Sequence, residues 1–310
     1  TLGSLKQVAL IESSESSNRL EGIIAPRDRV EGLVKKTTQP ANRSEMEIAG
    51  YRDALALIHE NAEHMPFTIN VIKQLHTMVY RYMAESGGNW KPANNEIVER
   101  DEQRNIIRVR FVPVSTVETP QAMEDLVENY RQAVEVHNKE PLVILPLAIL
   151  DFLCIHPYRD GNGRVARLLT LQLLYHFDYR VGTYISLERI FEETKESYYD
   201  TLEASSQGWH EGEHDINPWM DYFWGILLRA YREFDEDRVG TIRSGKGSKS
   251  EQIRAAVGRK LAPFAISDIE SELPEISRDM IRVVLRKLRD EDVIEPRGKG
   301  RGAKWHRKQS

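Results

Sequence analysis

Twelve consecutive residues carry the densest chemistry in the chain: His156-Pro157-Tyr158-Arg159-Asp160-Gly161-Asn162-Gly163-Arg164-Val165-Ala166-Arg167. A histidine exchanges its proton near neutrality and suits a general base. Asp160 suits a hard cation such as magnesium, which is usually held by one or two carboxylates together with substrate phosphates. Gly161 and Gly163, on either side of Asn162, let backbone N–H groups turn towards an anion, and a helix starting there adds its positive end. Arg164 and Arg167 stand three residues apart, on one helical face, and guanidinium groups fork onto phosphate oxygens. These types together describe a phosphate site with a base beside it. The stretch is not a Walker A loop, because no Lys-Ser/Thr pair follows the glycines.

Two apolar runs, 142–155 and 168–175, lead into and out of this stretch and predict two buried helices with the site in the loop between them. Upstream, residues 1–12 carry apolar residues at helical spacing. The Ser13-to-Gly22 stretch reads as a helix end or a break into a second short helix. Residues 25–42 read as a connecting segment. A helix is predicted from Ser44, with Ser44 and Glu47 as a capping box, and another from Thr68, with His76 on its face. Residues 86–95 form a loop. Ile97-Val98 and residues 107–112 read as a half-exposed hairpin, because Ile107, Val109 and Phe111 share one parity and Arg108 and Arg110 the other. Helices follow near 123–134, over 188–205 with Tyr198-Tyr199, and from Pro218. The chain is therefore mainly α.

Gly and Ser among basic residues mark 239–250 as a linker. The resulting division is 1–43, 44–238, linker, and a small domain over 251–310. That last domain reads as three helices and a hairpin, the pattern of a winged helix-turn-helix. Its third helix carries Arg278, Arg282, Arg286, Lys287 and Arg289. From Arg297 onwards there are six Lys/Arg and no Asp/Glu, a basic footprint that suits DNA phosphates.

With 310 residues, 40% of them hydrophobic, the chain can bury a real core, and its net charge of −5 points to no partner class. A single cysteine excludes a disulfide framework within the chain and fits a reducing, cytoplasmic setting. Cys154, inside the apolar run, reads as a buried thiol. No membrane span or signal peptide is visible. The chain opens on Thr1 rather than Met, which leaves the true N-terminus open. His210-Glu211-Gly212-Glu213-His214 matches a zinc-protease pattern, but Gly208, Gly212 and Pro218 argue for a loop, so zinc is not expected.

The stretch 156–167 resembles the signature of the Fic (Fic/DOC) family, His-x-Phe-x-(Asp/Glu)-Gly-Asn-Gly-Arg-x-x-Arg, with Tyr158 where Phe is usual. Weaker similarity covers residues 44–231. Ser17-Asn18-Arg19-Leu20-Glu21-Gly22 resembles the family's inhibitory motif, (Ser/Thr)-x-x-x-Glu-(Gly/Asn). The loop around Asn89-Trp90-Lys91 lacks the Gly-x-x-Arg pattern expected there. The resemblance implies a Fic-type helical core with a small β-hairpin flap. It implies transfer of AMP from ATP to a Ser, Thr or Tyr hydroxyl of a target protein or of the chain itself. His156 would be the base and Asp160 the magnesium ligand. Gly161, Asn162 and Gly163 would stabilise charge, Arg164 and Arg167 would hold the outer phosphates, and Tyr199, with Tyr198, would flank the adenine. The hairpin would pair with an extended target segment. Glu21 would pair with Arg167 in place of the γ-phosphate. The alternatives are transfer of another phosphate-containing group, removal of AMP, and a nucleotide-sensing DNA-binding regulator.

Overall fold

Two apolar helices carry the motif between them, and the rest of the larger unit is built around that pair. In the computed structural model they are Pro141–Ile155 and Asn162–His176. The model describes residues 2–101, 103, 105–235, 253–254, 256–257, 263–274, 276–291, 293–297 and 304–307. Of the expectations above, the 239–250 linker, much of the first of the three helices within 251–310 and most of the basic stretch after Arg297 lie outside the described residues.

The larger unit, Leu2–Phe234, holds ten α-helices and one hairpin among its described residues. They are α1 (Leu2–Leu20), α2 (Arg27–Val34), α3 (Arg43–Asn61), α4 (Ile69–Val79), β1 (Ile97–Arg100), β2 (Ile106–Phe111), α5 (Thr119–Arg131), α6 (Pro141–Ile155), α7 (Asn162–His176), α8 (Leu187–Glu193), α9 (Lys195–Ser206) and α10 (Asn217–Glu233). Helix α7 is buried almost all round, as an apolar helix at the centre of a bundle must be. Pro146 sits inside α6 and has no N–H to offer Leu142 O. The Trp224 indole donates to that carbonyl at 2.9 Å, and the Trp219 indole donates to Pro146 O at 2.8 Å. Both tie α10 to α6.

Several local expectations are corrected. Residues 2–20 form one helix without a break. Serines favour caps and turns because their hydroxyls compete for backbone groups. Here Ser13, Ser14, Ser16, Ser17 and Asn18 are all buried, and tertiary partners fix Ser13 and Ser17. The Ser13 hydroxyl donates at 2.7 Å to Glu188 Oε2 of α8. The segment 25–42 contains α2, whose Val30, Leu33 and Val34 pack with Ile11, Ile48 and Ala49. Helix α3 is capped not by Ser44 but by Asn42, whose side chain accepts Glu45 N–H at 3.0 Å. The expected 188–205 helix is two, α8 and α9, parted at Thr194.

The hairpin forms as an antiparallel pair with two register shifts. The first four residues of β2, 106–109, are exposed on both faces rather than on one. At its base, Arg110 reaches Glu99 and Glu203 at 3.1 Å each, which ties the hairpin to α9.

The smaller unit is described by itself. It comprises α11 (Ile266–Glu272), α12 (Arg278–Asp290), β3 (Ile294–Arg297) and β4 (Lys304–Arg307). Ile269, Ile281, Val284, Leu285 and Leu288 belong to its own core, and Phe264 and Trp305 exchange backbone hydrogen bonds at 3.0 and 2.8 Å. At the start of α11, Asp268 reaches back to accept Ala265 N–H at 2.8 Å. Arg278, Arg282, Arg286, Lys287 and Arg289 are exposed along α12.

Candidate active site

His156 ends α6 in the left-handed region, at φ 51° and ψ 59°, and Gly161 opens α7 at φ 82°. A non-glycine residue there is uncommon and strained. The loop between these two turns is held from inside. Asn162 Oδ1 accepts Tyr158 N–H at 2.9 Å and its Nδ2 donates to Tyr158 O at 2.8 Å. The Tyr158 ring is fully buried and stacks on His76, with ring centroids 3.7 Å apart and planes 2° apart. Its hydroxyl finds no partner among the described residues.

The His156 Nδ1 lies 3.2 Å from Leu153 O. A carbonyl only accepts, so Nδ1 carries the proton and the Nε2 lone pair is free. Burial, with Lys91 adding to it, pulls the imidazole pKa down to about 4, so the ring is neutral at pH 7. Asp160 is exposed, and its Oδ1 accepts the Gly161 N–H at 2.7 Å. One accessible carboxylate beside a phosphate cradle fits the way magnesium is held with substrate oxygens. Among the described residues no group of three His, Cys, Asp or Glu is arranged to bind a metal by protein side chains alone.

The two arginines part company. Arg164 is fully buried, and its Nη1 lies 2.5 Å from Glu47 Oε2 of α3 and its Nη2 3.3 Å from Tyr80 OH. Arg167 faces α1. Its Nε donates to Ser17 Oγ and its Nη2 to Ser17 O, both at 2.8 Å, and Nη2 also meets Glu21 Oε1 at 2.7 Å. Burial works against its charge, but the neighbouring Glu21 carboxylate favours it, and the guanidinium stays protonated. Its Nη1 has no hydrogen-bond partner among the described residues. A Cβ on Gly163 would collide with Glu21 Oε1 and lie 3.2 Å from Arg167 Nη1. The Glu21 carboxylate therefore rests on the N-terminus of α7, where helix dipole and arginine both favour an anion.

A cavity of about 470 Å³ opens over this point. Glu21, His156, Asp160, Gly163 and Arg167 line one part; Ile97, Phe111, Leu150, Leu153, Cys154, Tyr198, Tyr199 and Leu202 give it apolar and aromatic walls. That combination takes a flat apolar group joined to an anion. Tyr199 OH lies 3.4 Å from Leu20 O, so this tyrosine also touches α1. Cys154 is a buried free thiol whose pKa burial pushes up, which makes it wall rather than nucleophile. The His210–His214 stretch is a turn: His210 stacks on Phe111 and bonds Val112 O at 2.8 Å.

Three supporting residues escaped sequence reasoning. Glu47 reads in sequence as part of a capping box, which says nothing of Arg164. His76 reads as a residue on a helix face. Lys91, in the loop without the expected arginine, is buried, and its Nζ donates to Val114 O at 2.6 Å, Asn95 Oδ1 at 3.0 Å and Ile155 O at 3.1 Å. Burial pulls its pKa to about 8. A lone polar residue in a helix or loop gives no sequence signal for such partners.

Residues 66–174 match the sequence profile described as the Fic/DOC family. The match runs from just before α4 through α7 and includes the whole motif loop; α1 and Glu21 lie outside it. The chain thus carries a Fic/DOC family domain, a kind of domain known for transferring nucleotides or other phosphate-containing groups onto proteins. The fold is similar to a Fic family protein from Desulfovibrio desulfuricans G20, with TM-score 0.60, 17% identity, and coverage of 98% of this chain and 88% of that one. A Fic domain containing signaling protein from Bacteroides thetaiotaomicron gives TM-score 0.61 at 22% identity, over 74% of this chain and 87% of that one. Fic-1 from C. elegans gives TM-score 0.56 at 18% identity, over 79% of this chain and 71% of that one. At these identities the likeness concerns the fold. A 75-residue stretch is 35% identical to the ribonucleoside-diphosphate reductase small chain of Ostreid herpesvirus 1, covering 22% of this chain but only 13% of that protein. Among the described residues no helix is long and apolar enough to cross a membrane.

Proposed function

We propose that the chain is an autoinhibited protein adenylyltransferase, moving AMP from ATP to a Ser, Thr or Tyr hydroxyl of a target protein. The observation that carries this reading is the position of Glu21: its carboxylate lies on Arg167 and against Gly163, where an outer phosphate of ATP would sit.

The chemistry follows from the groups present. The free Nε2 lone pair of His156 takes the proton of the target hydroxyl as its oxygen attacks the α-phosphorus. The bond from that phosphorus to the α–β bridging oxygen breaks, and pyrophosphate leaves. Asp160 is the residue that would hold magnesium, which supplies neutralising charge on the phosphates. N–H groups at the start of α7 stabilise charge on the transferring group. Arg167 takes the terminal phosphate once Glu21 withdraws. Arg164, committed to Glu47 and Tyr80, braces the start of α7 from behind. Positioning and electrostatics supply nearly all of the catalysis in such transfers. The aromatic and apolar end of the cavity, Tyr199 included, suits the adenine, and the exposed hairpin edge suits strand pairing with the target. Intact mass spectrometry of a target incubated with ATP tests the reading: the added mass is that of AMP less water, and His156→Ala abolishes it. Addition of any other mass contradicts it.

The smaller unit supports a second, separate reading. Its helix–turn–helix–hairpin order suits a winged helix, and the exposed basic residues of α12 suit the phosphates of DNA. Gel shift of the full chain with arbitrary duplex, across a salt titration, tests it: binding must weaken as salt rises, and absence of binding at low salt rejects it.

A further inference from the structure

His76 lies in the last turn of α4, buried, and the reaction outlined above gives it no task. Both its ring nitrogens are engaged. Gly88 N–H donates to Nδ1 at 2.7 Å, so Nδ1 has no proton of its own. The proton is therefore on Nε2, which lies 3.0 Å from the carbonyl oxygen of Asp160 and donates to it. The ring face is taken by Tyr158 of the motif loop.

The Asp160 carbonyl and the Gly161 N–H belong to one peptide unit. In a planar trans peptide these two groups point in opposite directions. Holding the carbonyl on one side therefore turns the N–H to the other. There the Gly161 N–H meets the Asp160 carboxylate, which lines the cavity. Gly161, at φ 82°, has the backbone freedom that would otherwise let this peptide turn over. A turned peptide would present a carbonyl oxygen to an incoming phosphate in place of an N–H.

We propose that His76 is a positioning residue for phosphate binding: its bond to Asp160 O locks the Asp160–Gly161 peptide with the Gly161 N–H towards the anion site. The stack on Tyr158 and the bond from Gly88 hold the imidazole in the plane this requires. His76 touches neither substrate nor metal; it acts through the peptide it grips.

The inference rests on the nucleotide reading of the cavity, so its test separates the two. Binding of ATP and of adenosine is measured by calorimetry in Glu21→Gly and in that protein carrying His76→Phe or His76→Gln. His76→Phe keeps an aromatic ring on Tyr158 but offers no donor, and ATP affinity falls roughly 10- to 100-fold, the worth of a hydrogen bond to a charged group. Adenosine, which has no phosphate, binds both proteins alike. His76→Gln keeps an N–H and recovers most of the ATP affinity. Equal loss of both ligands marks a merely structural residue and overturns the proposal, as does no loss of ATP. Failure of the Glu21→Gly parent to bind ATP overturns instead the nucleotide reading beneath it. Should His76→Phe not fold, a crystal structure of Glu21→Gly with ATP decides. The proposal requires Gly161 N within about 3.2 Å of a phosphate oxygen while Asp160 O stays on His76; an Asp160 carbonyl turned towards the phosphates overturns it.

Discussion

Arg167 of α7 meets Glu21 at the start of the turn after α1, with Nη2 and Oε1 2.7 Å apart across 146 residues of sequence. Two further contacts hold this one in register: Arg167 bonds Ser17 one turn earlier in α1, and Arg19 of the same helix pairs with Glu192 of α8 at 3.0 Å. The N-terminal segment is thus a docked helix with several anchors. Removing Glu21 alone leaves a buried guanidinium with one polar side-chain neighbour fewer. Because the Glu21 side chain is 30% exposed, solvent tempers the loss. Glu21→Gly should lower stability by about 1–2 kcal/mol. Saturating ATP should then raise the melting temperature of the variant more than that of the wild type. Scanning calorimetry checks both, and a larger ATP shift in the wild type would sink the account of competition.

Gly163 lies where the Glu21 carboxylate and, on the proposed reading, a phosphate must both fit. A methyl group there collides with the carboxylate. On the proposed reading, Gly163→Ala should therefore disturb the Glu21 contact without releasing activity, because the same methyl blocks the anion. Labelling with α-labelled ATP should be absent from Gly163→Ala in both the wild-type and the Glu21→Gly backgrounds. Strong labelling by the single variant would show that the two anions use different places.

Much of the site was legible because the motif is contiguous. His156, Asp160 and the glycines fall in one loop, and an apolar run on either side dictates the buried helices that hold it. The Glu21–Arg167 contact could be anticipated only through the resemblance; nothing in the spacing of two residues so far apart specifies it. What stayed hidden was long-range pairing. The serines of α1 read as a break because their local preference is for turns, while Ser186 and Glu188 give Ser13, and Arg167 gives Ser17, a buried partner. Ser44-x-x-Glu47 has the form of a capping box, yet Asn42 caps the helix and Glu47 serves Arg164.

Burial lowers His59, His76 and His156 each to about 4. In the unfolded chain each returns to about 6.5. Between those values the unfolded state binds more protons than the folded one, so stability falls as pH drops through this window. Each histidine contributes a slope of up to about 1.4 kcal/mol per pH unit there. Urea unfolding at pH 7 and pH 5 should show the loss, and His59→Phe should reduce it. An unchanged midpoint between the two pH values would contradict the buried neutral state of these rings.

Tyr158 replaces the phenylalanine usual in the signature, and its buried hydroxyl has no partner among the described residues. An unsatisfied buried hydroxyl carries a desolvation penalty with nothing to offset it. Tyr158→Phe should keep the ring stack on His76 and leave stability unchanged or higher by about 1 kcal/mol. A loss of similar size on urea unfolding would mean that the hydroxyl is bonded.

The central claim is that Glu21 and a nucleotide phosphate compete for Arg167 and the start of α7. Labelling of protein by α-labelled ATP and magnesium, in a cell lysate supplemented with either wild type or Glu21→Gly, tests it most directly. Strong labelling is expected with Glu21→Gly, little with wild type, and none when His156→Ala is added to Glu21→Gly. Equal labelling by wild type and Glu21→Gly would contradict it.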